Sequence, residues 1–203
     1  MLLKEHPLAL LRRSWPALLF GGLAGALLAA LLSFTQPLEY ASTVRLLITQ
    51  PGATNTDPYT ILKSNERIAQ NLSQLLYTSS FFENILNQAE GVDRDYFPTD
   101  EFNRRRAWSR SIGTSVEPGS GLMLVTIYHP SRVQARVLVQ AATQELAKQA
   151  PNFFGFSVRV QVIDAPLDSR WIARPNFLNN ALAGLALGAL LGLIWMVANR
   201  QRL

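Results

Sequence analysis

The residues that could do chemistry in this chain are few, and their types exclude several kinds of site. The 203 residues include no cysteine and two histidines, His6 and His129. This excludes disulfides, thiolate nucleophiles and multi-histidine metal sites. The sequence also lacks the glycine patterns of nucleotide-binding loops and the GxSxG motif of hydrolases. We therefore predict no catalytic residue, no metal ligand and no cofactor.

His129 and the scattered acidic residues are weaker candidates for catalytic residues. His129 precedes a proline and has no identifiable nucleophile, so we interpret it as a turn residue rather than a general base. Asp93, Asp95, Asp100 and Glu101 surround residues 96–98, in a loop and first helical turn where acids complement a helix N-terminus. A carboxylate pair for glycoside hydrolysis is the less favoured alternative.

One basic cluster lies in the middle of the chain: Arg104, Arg105, Arg106 and Arg110. Successive residues on a helix point about 100° apart, so three adjacent arginines do not share one face. We favour a solvated surface, or ion pairs with a neighbouring subunit, because charge runs are usually solvated. The alternative is contact with an anionic polymer such as a sugar-phosphate chain.

Two uncharged segments explain a composition that is 48% hydrophobic and only 16% charged, against about 25% charged in soluble domains. They cover residues 14–38 and 175–199, and each reaches the roughly 20 apolar residues that cross a bilayer. We predict transmembrane helices over residues 15–36 and 175–197. A cleaved signal peptide is the alternative for the first, although its apolar run is longer than a signal sequence needs. A buried core helix is the alternative for the second.

The basic residues beside these segments predict the topology. Five of the 19 basic residues but only one of the 14 acidic residues lie on the two flanks: Lys4, Arg12, Arg13, Arg200 and Arg202 against Glu5. Positive flanks stay in the cytoplasm, so residues 1–14 and 198–203 are predicted to be cytoplasmic and residues 37–174 extracytoplasmic. The pI of about 10 then reflects topology beside anionic lipid, and we expect no nucleic-acid partner.

Small residues recur at four-residue spacing in both apolar segments, at Gly21 and Gly25 in the first and at Gly184, Gly188 and Gly192 in the second. Such spacing lets transmembrane helices approach closely. It predicts helix packing through these glycines, within or between protomers.

The segment between the spans predicts an α+β domain, a small mixed sheet with packed helices. Hydrophobic periodicity and turn residues predict a strand over 42–49, a loop over 51–58 and helices over 59–77, 80–88, 99–110 and 130–150. They also predict a hairpin over 112–116 and 122–128 and a last strand over 157–163. Ser80 and Glu83 form a capping-box pattern. The strand–helix–strand order at the end predicts parallel pairing. Pro166 and Pro175 are interpreted as a semi-rigid link to the second span, or simply as a loop.

The layout resembles the polysaccharide co-polymerase, or chain-length determinant (Wzz-like), family, and in particular its short members without a kinase domain. The resemblance depends on the order of several pieces: a basic flank and first span, the strand YASTVRLLI over 40–48, VTIYHP over 125–130 leading into a helix, VIDAP over 162–166, and RP over 174–175 before a glycine-rich span. The tail after that span is short, so no fused kinase is expected, and the outer domain has no long helical arm.

The resemblance implies a non-enzymatic scaffold in the bacterial cytoplasmic membrane that forms ring-like homo-oligomers. It would regulate the length, polymerisation or export of O-antigen, capsule or exopolysaccharide, together with a polymerase or synthase and, in some cases, a separate cytoplasmic tyrosine kinase. The competing interpretations are a kinase modulator, a two-span sensor or adaptor with an extracytoplasmic ligand domain, and a subunit of a secretion or pilus complex.

Overall fold

A computed structural model describes residues 7–52 and 57–199. The chain divides into a helical unit, Met1–Leu38 with Arg174–Leu203, and an α+β unit, Glu39–Ala173. In chain order the elements are α1 (Pro7–Ser33), β1 (Tyr40–Thr49), α2 (Pro58–Leu75), α3 (Ser79–Gln88), α4 (Glu101–Ser111), β2 (Ile112–Val116), β3 (Leu122–His129), α5 (Arg132–Phe154), β4 (Arg159–Asp168) and α6 (Phe177–Asn199). The described residues exclude 53–56 of the predicted loop, and also Lys4, Glu5, His6, Arg200 and Arg202.

The helical unit contains the two apolar helices. Within the described residues one segment, Phe177–Met196 of α6, is long and apolar enough by composition to cross a membrane, with a mean hydropathy of 1.8. The apolar part of α1 is the shorter segment Leu18–Ser33. A membrane span is therefore weakly supported for α6, and the two-span arrangement stays a prediction.

The α+β unit is built on a four-stranded sheet with strand order β2-β3-β1-β4, in which all paired strands are antiparallel. The predicted hairpin is confirmed, since Thr114 of β2 pairs with Val125 of β3. The predicted parallel pairing of the last two strands, and with it the mixed sheet, is wrong. β3 and β4 run in the same direction, but β1 lies between them and pairs with both.

The position of β1 has a physical reason that its sequence does not reveal. A strand whose apolar side chains face the core is stabilised most when its backbone pairs on both edges, because no N–H or C=O group is then left at an open edge. Val44, Leu46 and Ile48 of β1 are all at most 1% exposed. The 23-residue helix α5 connects β3 to β4 across this inserted strand.

The core lies between the helices and one face of the sheet. Buried side chains alternate along β1 and β3, and the helices contact the face that carries them. Trp108 of α4 stacks on Phe82 of α3, with ring centroids 4.4 Å apart, and its indole nitrogen donates to the Leu76 carbonyl oxygen at 2.8 Å. The short polar helix α4 is thereby held to the rest of the core.

Two local predictions need correction. Helix α3 begins one residue early because Thr78, not Ser80, caps it; the Thr78 hydroxyl accepts a hydrogen bond from the Phe81 N–H at 3.3 Å. Pro166 is not part of a link, since it lies inside β4. There, Ala165 and Pro166, which lie between Asp164 and Leu167 of β4, face the single residue Val44 of β1. A bulge on an edge strand accommodates proline because no ladder hydrogen bond is required of it.

Candidate functional site

The contact between α1 and α6 is made by glycine backbone atoms. A Cβ built on Gly25 would lie closer than 3.0 Å to the carbonyl oxygen of Gly184, and a Cβ on Gly184 would meet Gly25 in the same way. Gly21 and Gly188 have the same relationship, and the Cα of Gly192 is 3.2 Å from the Cβ position on Gly21. The structure thus places all five glycines at one contact within a single chain. Any side chain larger than hydrogen would force the helices apart.

A polar contact joins the same two helices beyond the glycines. The Asn180 side-chain amide donates to the Ser33 hydroxyl oxygen at 2.8 Å, and the Ser33 hydroxyl donates to the Ala29 carbonyl oxygen at 2.8 Å. Ser33 is 1% exposed, and a hydrogen bond between apolar helices has little competition from water. Sequence reasoning missed this pair, although polar residues within the uncharged segments, Ser33 in the first and Asn180 in the second, were a usable signal.

The outward surface of the helix pair is apolar. Side chains that are more than half exposed include Phe20, Leu28, Leu31, Leu191 and Trp195. Beside the glycine contact lies an open apolar groove of about 600 Å³, flanked by Phe20 and Trp195. An apolar surface this extensive marks a region that meets lipid or another protein.

The arginine cluster lies in the α+β unit and does not form a single patch. The Arg104 guanidinium pairs with the Glu83 carboxylate of α3 at 2.8 Å, which secures α4 to its neighbour. Arg105 and Arg106 are exposed and make no ion pair or hydrogen bond with any other residue in the described ranges. Arg110 is exposed in the last turn of α4. Arg104 therefore belongs to an ion pair between helices, whereas Arg105 and Arg106 lie on a solvated face.

His129 is a buried residue at the end of β3, with 3% of its surface exposed. Its Nδ1 atom accepts a hydrogen bond from the Ser131 N–H at 3.0 Å, so the proton of the neutral ring is on Nε2. The Nε2 atom has no hydrogen-bond partner within the described part of the chain, and the Tyr96 ring lies 4.1 Å away between centroids. Burial lowers the pKa of His129. These contacts suit a structural residue before a helix.

Two of the acids near residues 96–98, Asp100 and Glu101, lie at the start of α4. The Asp100 carboxylate caps α4 by accepting from the Asn103 N–H at 3.0 Å, and Glu101 lies in the first turn. The Asp93 N–H donates to the Gln134 side chain. In residues 7–52 and 57–199 no group of three or more histidines or acids could hold a metal ion.

A buried acid, Glu66 of α2, was not singled out by sequence reasoning. It is 7% exposed, and its carboxylate accepts hydrogen bonds from Lys63 at 2.8 Å, from the Gly119 N–H at 3.0 Å and from Gln70 at 3.1 Å. The Lys63 hydrogen bond, followed by that of Gly119, lowers the pKa of Glu66. Because Gly119 lies between β2 and β3, Glu66 holds the hairpin turn against α2. A charged residue beside the apolar stripe of a helix was the available signal.

No family model matches the chain, and no curated protein sequence matches it.

Proposed function

We propose that the protein is a non-enzymatic membrane scaffold that regulates the chain length, polymerisation or export of a bacterial surface polysaccharide. α1 and α6 are its two membrane spans, with both ends of the chain in the cytoplasm, and the α+β unit lies on the outer side of the cytoplasmic membrane. The observation that carries this proposal is the glycine contact between α1 and α6. These helices immediately precede and follow the α+β unit in the chain, so one helix pair anchors both of its ends.

The surface chemistry of the helix pair supports a membrane location. Its exposed side chains are large and apolar, whereas a protein in water rarely leaves so continuous an apolar surface uncovered. Close glycine contacts are typical of helices in lipid, where burial of apolar area contributes little and packing contributes most. The basic flanks orient both ends toward the cytoplasm.

The polysaccharide role is supported by the sequence resemblance. Its pieces fall at defined places in the fold: YASTVRLLI over 40–48 lies in β1, one of the two inner strands, and VTIYHP over 125–130 spans the end of β3 before α5. The partners that follow from this role are further copies of the same chain, a polysaccharide polymerase or synthase and, in some systems, a separate tyrosine kinase.

The test replaces the glycine that contacts α1 most closely. Gly188→Leu forces α1 and α6 apart, so we expect a changed polymer-length distribution on gels of extracted polysaccharide and a changed oligomer size in detergent. The matched control is Ala186→Leu, which enlarges an exposed position two residues away and is expected to leave both unchanged. If Gly188→Leu accumulates normally in the membrane and alters neither measurement, the proposal is wrong.

A further inference from the structure

A groove of about 450 Å³ in the α+β unit has two walls of different chemistry. One wall is a face of α2, and the other is formed where α5 ends. The α2 wall combines the buried apolar side chain of Ile68 with polar and basic side chains. The polar and basic members are three or four residues apart and therefore share a face: Thr60, Lys63, Ser64, Arg67 and Asn71. Among the residues that the structure describes, Lys63 and Arg67 are the charged side chains that line the groove.

The two cations on this wall have unused binding capacity. Arg67 is exposed and makes no hydrogen bond or ion pair with any residue that the structure describes. Lys63 donates one hydrogen bond to Glu66 but is 61% exposed, which leaves further donors of its ammonium group available. Like charges at i and i+4 destabilise a helix. The Glu66 carboxylate already pairs with Lys63, so an anion in the groove compensates chiefly the charge of Arg67.

The opposite wall is aromatic. Phe154 is the last residue of α5, and Phe156 follows Gly155, whose φ of +65° ends the helix and turns the chain. The two rings are 5.4 Å apart between centroids and are tilted by 38°. Phe154 packs against the core, whereas Phe156 is 41% exposed. The partly exposed ring offers an apolar face to a ligand in the groove.

We propose that this groove binds a segment of acidic saccharide. The Arg67 guanidinium pairs with an anionic group on a sugar, in the forked geometry that suits carboxylates, and Lys63 adds a second positive charge. A sugar ring lies against Phe156 through its C–H groups, which the negative face of an aromatic ring attracts. The Asn71 side chain hydrogen-bonds to a hydroxyl group of the sugar. The Ser64 hydroxyl donates to the Gln50 side chain at 3.2 Å, so its oxygen accepts from a sugar hydroxyl.

The combination of walls favours a saccharide over other anions. A simple anion would use the cations and leave the aromatic ring unused, and a neutral apolar ligand would leave Arg67 unused. Binding sites of this kind combine an aromatic wall with a few convergent polar groups. The inference depends on the proposed function, which it deepens: the scaffold would touch the polymer that it regulates, and that polymer would carry acidic sugars.

The test measures binding by titration calorimetry on the full chain in uncharged detergent, with trigalacturonate as the probe. Arg67→Gln is expected to weaken binding about tenfold, as for loss of one charge-assisted hydrogen bond, and added salt is expected to weaken binding to the unaltered chain. Phe156→Ala should also weaken binding, and Phe156→Tyr should restore it. The matched control Arg105→Gln removes an exposed arginine of α4 and should leave affinity unchanged.

Three comparison ligands make the proposal falsifiable. The three ligands are neutral maltotriose, the acidic peptide triglutamate and vesicles that contain anionic lipid. None of them should lose affinity in both the Arg67→Gln and the Phe156→Ala variant. If triglutamate or the vesicles lose as much affinity as trigalacturonate in both variants, or if Arg105→Gln weakens trigalacturonate binding as much as Arg67→Gln, the saccharide assignment is wrong. Binding is measured on purified protein, so its failure overturns the groove alone. If Gly188→Leu accumulates normally and changes neither polymer length nor oligomer size, the proposed function is wrong, whatever the binding result.

Discussion

Gly21 and Gly188 meet backbone to backbone: a Cβ built on either glycine would lie closer than 3.0 Å to the carbonyl oxygen of the other. The relationship joins residues far apart in sequence and defines which faces of α1 and α6 touch. It also locates the glycine contact within one chain, where spacing alone allowed contact within or between protomers. The surface left for neighbouring copies or lipid is therefore the outward apolar surface of the pair.

A cysteine pair tests this helix contact directly, since the chain has no native cysteine. Ser33→Cys combined with Asn180→Cys replaces two side chains that face each other across the helices, with Asn180 Nδ2 and Ser33 Oγ 2.8 Å apart. We expect a crosslink within one chain, seen as a shifted monomer band on a non-reducing gel of membranes. Ser33→Cys with Leu187→Cys is the control, because Leu187 is exposed further along α6. A crosslinked dimer as the main product would contradict pairing within one chain.

Trp108 should be the largest single contributor to the stability of α4. It is 1% exposed, so Trp108→Ala is expected to cost about 3–5 kcal/mol through the cavity that it leaves. Trp108→Phe retains a ring on Phe82 but leaves the Leu76 carbonyl oxygen without its donor, for a smaller cost of about 1–3 kcal/mol. Thermal unfolding followed by circular dichroism checks the order. The control Phe102→Ala changes a 73% exposed residue of the same helix and should cost less than about 0.5 kcal/mol.

Glu66 should make stability depend on pH in the acid range. Its pKa is lowered in the folded state from the ordinary value of 4.5, so the folded protein binds fewer protons there than the unfolded chain. Its stabilising effect is complete above about pH 4.5 and is lost as the pH falls through the folded-state pKa. Glu66→Gln should lower the melting temperature at neutral pH and flatten its decline below pH 4.5.

The contribution of Glu66 is separable from general acid unfolding. Glu90→Gln, at an exposed position, should leave the slope of melting temperature against pH as in the unaltered chain. Equal slopes for Glu66→Gln and the unaltered chain would show that the carboxylate does not hold the hairpin turn.

His129 should make the stability of the protein depend on pH in a higher range than Glu66 does. Its pKa is lowered from 6.5, chiefly by burial, so folding favours the neutral ring. Stability is complete above pH 6.5 and declines as the pH falls below that value toward the folded-state pKa. His129→Asn keeps an acceptor for the Ser131 N–H and removes the titrating group. Melting curves between pH 7.5 and 5 should decline less for this variant, and an unchanged decline would assign the effect to other groups.

Much of the local structure followed from the sequence. Periods of two and of three to four residues located the strands and helices of the α+β unit, and the glycine-containing turn between β2 and β3 predicted their hairpin. The signals for these elements act over a few residues. The predicted N-cap of α3, Ser80, is only two residues from the observed one, Thr78. Both residues carry a hydroxyl group near the start of the helix, so the sequence signal did not distinguish them.

Contacts between distant residues were decided only by the tertiary structure. Periodicity shows which face of β1 is buried, but not that it pairs with β3 and β4 at once, because strand order depends on backbone hydrogen bonds across more than 70 residues. Glycine spacing likewise shows that a close approach is allowed, and the partner glycine is known only from the packed helices. The groove between Arg67 and Phe156 joins residues on separate elements. The sequence shows which residue types form each wall of the groove, and only the folded chain shows that the two walls face each other.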